Sequence, residues 1–192
     1  MKTYEKVFEF LTDPTKETFL KCREIVINDP EYDPYSKDIE NIQTLLNGGE
    51  FQEVITYLNI NILLSPSAHI YKYFAYKELN DEKGMQIEMF MSQTIFECLE
   101  KTGDGTKDLP YIVTRISDER DFVRCHLNKE DAGQSLINDG ENIMDVLKLD
   151  DGTELCFDIK VPYQRIAFSF KKRNDEVGIE KEKSKKKKWW KF

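Results

Sequence analysis

Histidine is scarce in this chain, with only His69 and His126 among 192 residues. The four cysteines, Cys22, Cys98, Cys125 and Cys156, lie far apart, and none forms a C-x-x-C pair. That spacing excludes the common zinc and dithiol motifs and reads as buried thiols in a reducing compartment. No apolar run approaches the roughly 20 residues of a membrane span. Residues 1–6 return to charge before any apolar stretch, so no secretory signal is expected and the predicted location is cytoplasmic. Basic clusters are missing from most of the chain. Residues 1–170 hold 18 Lys and Arg against 32 Asp and Glu, a net of −14. Phosphate contacts need clustered Lys and Arg, so no nucleic acid is expected on this acidic body.

Apolar residues are present in quantity: 40% are hydrophobic, including 12 Phe and 9 Tyr, enough for a sizeable core. In the first half they recur at helical spacing. Tyr4, Val7, Phe8 and Leu11 form one stripe. Asp13-Pro14 reads as the start of the next helix, with Asp as cap, and Phe19, Cys22 and Val26 as its face. Pro30 and Pro34 break the chain. Ser36 is the expected cap of a helix carrying Ile39, Ile42, Leu45 and Leu46, closed by Gly48-Gly49. Phe51, Val54, Ile55, Leu58 and Ile62 form a further stripe. Ser67 is the expected cap of a helix that turns Ile70, Tyr71, Phe74 and Ala75 inward. A sixth helix runs from about Asp81 to Leu99.

These helices come in pairs. Gly49-Glu50-Phe51, Val54, Leu58 and Pro66 stand where a tetratricopeptide repeat places its inter-helix turn, its small and large apolar positions and its closing proline. The segment resembles that repeat, although Asn61 occupies a position that usually holds Ala. Three tetratricopeptide-like hairpins, roughly 3–27, 36–64 and 67–100, are enough to share a core.

The period changes after Gly103-Asp104-Gly105-Thr106, a turn cluster. Tyr111–Thr114 is a β-type run. Ser117 can cap a short helix carrying Phe122, Val123 and Leu127. Residues 142–149 and 154–161 read as strands joined at Asp150-Asp151-Gly152-Thr153, and residues 163–170 as a further strand. The fold class is therefore α+β: antiparallel helical hairpins over 1–102, a small α+β domain with a β-hairpin over 103–170, and a basic tail over 171–192.

Gly103–Thr106, Pro110–Val113, Ser117-Asp118-Glu119, Gln134-Ser135-Leu136, Asp145-Val146-Leu147 and Phe157-Asp158-Ile159 follow one another in this order. That string resembles a family of Bacteroidetes proteins known as a domain of unknown function. Asp29–Tyr35 and Leu64–His69 fit it as well. The resemblance spans most of residues 15–162 and implies a helical front half and a β-rich back half, with no assigned activity. Many members are exported, and this chain departs from them in lacking a signal; its basic, Trp-containing tail is an addition.

The residues for chemistry are few. His126 follows Cys125 directly, and helical neighbours point about 100° apart, so the two cannot pair. His69 sits near Ser65 and Ser67 at a helix start. Both histidines read as packing or surface residues, and no catalytic residue or cofactor is expected. Gly103–Lys107 lacks the spacing of a phosphate-binding loop. A two-residue turn at Asp151-Gly152 would set Asp145 opposite Asp158. Like charges there need a cation, a shared proton or a basic neighbour; the pair reads first as carboxylates bonded to loop N–H groups or a basic residue, and only secondarily as candidate metal ligands. A register shift of one residue removes that opposition. Met85, Met89 and Met91 read as core, or else as an adaptable binding surface. The tail ends in Lys185, Lys186, Lys187, Lys188, Trp189, Trp190, Lys191 and Phe192. It reads as a solvated end, as a weak contact with the inner membrane face, as a segment that folds onto the acidic body, or as an RNA-binding end.

The pattern points to a non-enzymatic protein–protein interaction module using its helical-repeat surface on a basic peptide or protein. Two alternatives stand beside it: an acidic inhibitor or immunity-type protein masking a basic toxin or nuclease, and a hydrolase-type enzyme using the Asp145/Asp158 face.

Overall fold

The computed structural model describes residues 2–166. Six helices come first: α1 (Lys2–Thr12), α2 (Lys16–Asn28), α3 (Asp38–Asn47), α4 (Phe51–Thr56), α5 (Pro66–Glu78) and α6 (Glu82–Glu100). Strand β1 (Tyr111–Ile112) follows, then α7 (Ser117–Asp121), which runs into a π-helical turn over Phe122–His126. Strands β2 (Asp131–Asn138), β3 (Ile143–Leu149) and β4 (Glu154–Asp158) complete a sheet of order β1-β4-β3-β2. The class is α+β with helices first, as the periodicity predicts.

The helix ends and faces differ from the sequence reading in detail. In α1 the buried residues are Val7 and Phe10, whereas Phe8 is 71% exposed. Helix α2 starts after Thr15, not at Asp13-Pro14. The Thr15 hydroxyl accepts from the Thr18 amide (3.2 Å) and the Thr18 hydroxyl accepts from the Thr15 amide (3.0 Å). This reciprocal cap satisfies two amides at once, and Asp13 contributes its carbonyl, which accepts from the Thr18 hydroxyl (2.6 Å) and the Thr15 amide (2.9 Å). Ser36 does not cap α3. Its hydroxyl accepts from Arg115 Nη1 (3.0 Å) and its carbonyl from Arg115 Nη2 (3.0 Å). Arg115 thus grips the loop that Pro30 and Pro34 break open.

Helix α4 stops at Thr56 instead of reaching Ile62, and Leu58 is exposed. The cause lies in two asparagines. Asn59 Oδ1 accepts from the Asn61 amide (3.0 Å), a local turn that competes with helix. Asn61 then donates to Asp38 Oδ2 (3.0 Å) and accepts from the Asp33 amide (2.7 Å). The residue that departs from the repeat pattern is thus one that ends the regular pairing.

Ser65, not Ser67, precedes α5, with Pro66 at the first helical position. The Ser67 hydroxyl bonds Asp121 instead. The buried face of α5 is Ala68, His69, Lys72 and Ala75, and Phe74 is 44% exposed. Helix α6 is capped by Asp81, whose Oδ1 accepts from the Gly84 amide (3.0 Å). Gly84 also packs directly against Tyr76 of α5. A β-carbon there would lie 2.3 Å from the Tyr76 ring.

Before α7, Ser117 makes no cap. Asp118 Oδ2 reaches back to accept from the Arg115 amide (2.8 Å). Residues 160–166 are helical, so the strand expected at 163–170 does not form over 163–166. Its remainder lies outside the described residues.

The sheet pairs β1 with β4 in parallel, and β3 with both β4 and β2 antiparallel. The β3–β4 loop holds three residues, Asp150, Asp151 and Gly152. The Leu149 amide donates to the Thr153 carbonyl (2.8 Å), and Gly152 takes φ +83°, which favours glycine. One extra loop residue shifts the register by one, and Asp145 pairs with Phe157.

One hydrophobic core joins α1, α2 and α6 to the sheet and the π-turn. Phe96 of α6 meets Phe122 (6.3 Å between centroids), which meets Tyr111 (4.9 Å) and Phe157 (6.2 Å). The helical half is therefore packed on the back half through α6. A second cluster, Ile42, Val54, Ile62, Ala68 and Ala75, holds α3 and α4 against α5.

Candidate functional site

The outer face of the α5–α6 hairpin carries an apolar groove of about 500 Å³. Tyr73 comes from α5. Glu82, Met85, Gln86, Met89, Phe90 and Gln93 come from α6. The α6 residues repeat at spacings of three and four, so they share a helical face. That face is turned away from the core side of α6, where Met91, Ile95, Phe96 and Leu99 are buried. Of the three methionines read as core, only Met91 is buried; Met85 and Met89 line the groove and are half-buried. Phe90 is 50% exposed and Ile87, also on α6, 52%. The lining carries one charge, Glu82, and no cation. Methionine is unbranched and polarizable, so such a lining can adapt to several apolar shapes.

Beneath the groove the helix pair is fixed by polar contacts. His69 Nδ1 lies 2.6 Å from Glu88 Oε2, and His69 Nε2 lies 3.3 Å from the Leu63 carbonyl. Burial pushes the Lys72 ammonium down, and Glu88 opposes that shift. His69 thus has both ring nitrogens occupied inside the hairpin. His126 stacks on Phe122 (5.0 Å) and Phe96 (5.5 Å), with Nε2 3.0 Å from Glu100 Oε2. All four cysteines are free thiols; Cys22, Cys98 and Cys156 are buried, whereas Cys125, expected to be buried, is exposed. Desolvation raises each thiol above its usual range, and Cys22 reaches about 12.

The candidate metal pair, Asp145 and Asp158, is not brought together. With the register shifted by one, Asp158 pairs with Met144, and the two carboxylates point to opposite faces of the sheet. Asp158 Oδ1 accepts from the Lys160 amide (2.8 Å) and lines a polar cleft of about 260 Å³ with Lys107, Glu141 and Lys160. Asp145 faces inward between Ile143 and Leu147, beside Glu119 of α7, and accepts from Gln134 Nε2 (2.6 Å). No cluster of three or more His, Cys, Asp or Glu among the described residues is arranged to hold a metal ion. Asp145 and Asp158 therefore do not share the single face on which the hydrolase alternative places them.

The nearness of Glu119 to Asp145 does not follow from the sequence. Glu119 is 0% exposed, and no donor among the described residues reaches either of its oxygens. Two carboxyl groups packed together in a buried place disfavour the second negative charge, so protons are held more tightly there. Burial first, and the Asp145 charge second, push Glu119 up to about 9. Burial and Asp121 push the adjoining Asp118 up to about 7. No short-range pattern links residues 119 and 145; only the packing of α7 on β3 does.

No protein-family model, curated protein or solved structure matches the chain. The functional reading therefore rests on this chain's own geometry. The tail residues Lys185, Lys186, Lys187, Lys188, Trp189, Trp190, Lys191 and Phe192 lie outside the described residues. No helix among the described residues is long and apolar enough to cross a membrane.

Proposed function

We propose that the chain is a non-enzymatic protein-binding module whose docking face is the α5–α6 groove. The observation that carries the reading is the row Met85, Met89 and Phe90, laid beside Tyr73 on the outside of a well-fixed helix pair. A concave apolar strip with polar margins is how a globular domain takes an amphipathic helix. The net charge of −14 over residues 1–170 selects a basic partner and speeds its approach. The partner is thus an amphipathic segment with apolar residues on one face and Lys or Arg on the other. The acidic-inhibitor alternative uses the same surface and differs only in the identity of the basic protein it covers.

The test is fluorescence anisotropy with a labelled amphipathic peptide of Leu, Phe and Lys, titrated with the full chain. Phe90→Asp is expected to weaken binding at least tenfold, the ordinary effect of removing a central aromatic contact of ~1.4 kcal/mol or more. Leu136→Asp, on exposed β2, is expected to leave it unchanged. Equal binding by both variants would remove the groove from the account.

A further inference from the structure

We propose that the groove's resident occupant is the chain's own basic aromatic segment, Lys185–Phe192, which docks there and competes with outside partners. The inference rests on the groove being a docking face. Three observations lead to it.

The first is complementarity of charge. Residues 171–192 hold ten Lys and Arg against four Asp and Glu, a net of +6, whereas residues 1–170 carry −14. Glu78, Asp81 and Glu82 gather where α5 meets α6, at the end of the groove that Glu82 lines. The second is complementarity of shape and polarity. Trp189, Trp190 and Phe192 are large apolar side chains set among lysines. The groove offers two thioethers and two aromatic rings with no cation to repel the lysines. Sulfur–aromatic contacts of this kind are favourable. The third is reach. Arg165 bonds the carbonyls of Tyr32 (3.2 Å) and Pro30 (3.1 Å), so the described chain ends on the α2–α3 loop. The segment between residue 166 and Lys185 can span roughly 60 Å when extended. A body of this length has a radius of gyration of about 16 Å, so the whole surface lies within reach. Tethering raises the segment's local concentration to about the millimolar range, and weak contacts then suffice.

A partner must displace this segment, so the chain holds its docking face covered until a tighter basic ligand arrives. Lys185–Lys188 are the handle for steering, and the two tryptophans fill the groove.

The chain supplies its own probe. Trp189 and Trp190 are its only tryptophans, so intrinsic tryptophan emission reports this segment alone. In the full chain the emission is expected to be blue-shifted, and its quenching by acrylamide several-fold weaker than in a synthetic peptide of residues 185–192. Phe90→Asp, and independently glutamate at Lys185, Lys186, Lys187 and Lys188, should restore peptide-like emission and quenching. The charge-reversed variant leaves the body untouched and so does not depend on tolerance at Phe90. Trp189→Ala with Trp190→Ala should tighten binding of the Leu-Phe-Lys peptide about tenfold. Peptide-like emission in the unaltered chain would overturn the proposal, and so would blue-shifted emission that neither change affects. If the emission is peptide-like while the added peptide still binds in a Phe90-dependent way, the docking face stands and only its resident occupant is lost. If the peptide fails to bind even the chain lacking both tryptophans, the docking face itself falls.

Discussion

Arg115 shows how one side chain can hold two halves together. It is 4% exposed, and its guanidinium donates to Ser36 Oγ and to the carbonyls of Ser36, Asp33 (3.3 Å) and Asn61 (3.4 Å). Arg115→Ala leaves those acceptors unpaired and is expected to cost about 3 kcal/mol in urea unfolding. Arg115→Lys should recover little of it, because an ammonium cannot bridge acceptors set for a planar fork. The buried acids make a second prediction at this scale. Glu119 rises from its ordinary 4.5 to about 9, and Asp118 from 3.8 to about 7. Within those windows the folded chain holds protons that the unfolded chain has released, so stability falls as pH rises. Thermal melts across the range should show a declining Tm. Glu119→Gln, which keeps a donor facing Asp145, should flatten the decline, and an unchanged slope would count against a shared proton. None of this was legible in the sequence. The segment at Ser117 reads only as the opening of a short helix, and the burial of Asp118 and Glu119 is decided by packing between distant segments.

The elements were legible in type and less so in face and boundary. Stripes at helical spacing located all six front helices. The missing information was which of two neighbouring aromatics turns inward. In α1 that is Phe10 and not Phe8; in α5 the inward set includes His69 and Lys72 in place of Phe74. Caps moved by one or two residues because several hydroxyls compete, and Thr15 wins by pairing with Thr18. Strand β2 went unseen because its face is solvated, with Gln134, Ser135 and Leu136 all exposed and no alternation to read. The β3–β4 hairpin was legible, but its register was not. A three-residue loop closed by Gly152 replaces the two-residue turn, and one residue decides which face Asp145 occupies. Gly84 supplies the prediction at this scale. Alanine raises helix propensity by ~1 kcal/mol, yet its methyl group would meet the Tyr76 ring at 2.3 Å. Overpacking wins, and Gly84→Ala should destabilise by about 2 kcal/mol. Gly84→Ala with Tyr76→Leu should recover part of that loss in the same denaturation assay.

Across the whole molecule, charge and apolar surface are distributed unevenly. A strongly acidic body surrounds a groove that is almost uncharged. In the proposed docking, the field steers a basic partner and the groove discriminates. Binding of the Leu-Phe-Lys peptide should therefore weaken as salt rises, mainly through slower association, because added ions screen the field beyond about 8–10 Å but leave the apolar contacts intact. Dissociation that speeds up with salt, at unchanged association, would place the charges inside the contact. Much of this level could be read from composition: the acidic body, the basic segment and the scarcity of imidazole. The groove could not, because Met85, Met89 and Phe90 look the same in sequence whether they face a core or a partner.

The methionines permit the most direct test of the docking face. The chain has five, of which Met85 and Met89 line the groove while Met91 and Met144 are buried. Methyl-labelled chain carrying Trp189→Ala and Trp190→Ala would be titrated with the Leu-Phe-Lys peptide and followed by NMR. The Met85 and Met89 methyl signals are expected to move together and saturate, with Met144 unmoved. Saturable binding that shifts Met144 and leaves Met85 and Met89 in place would contradict the account and move the docking face to the sheet.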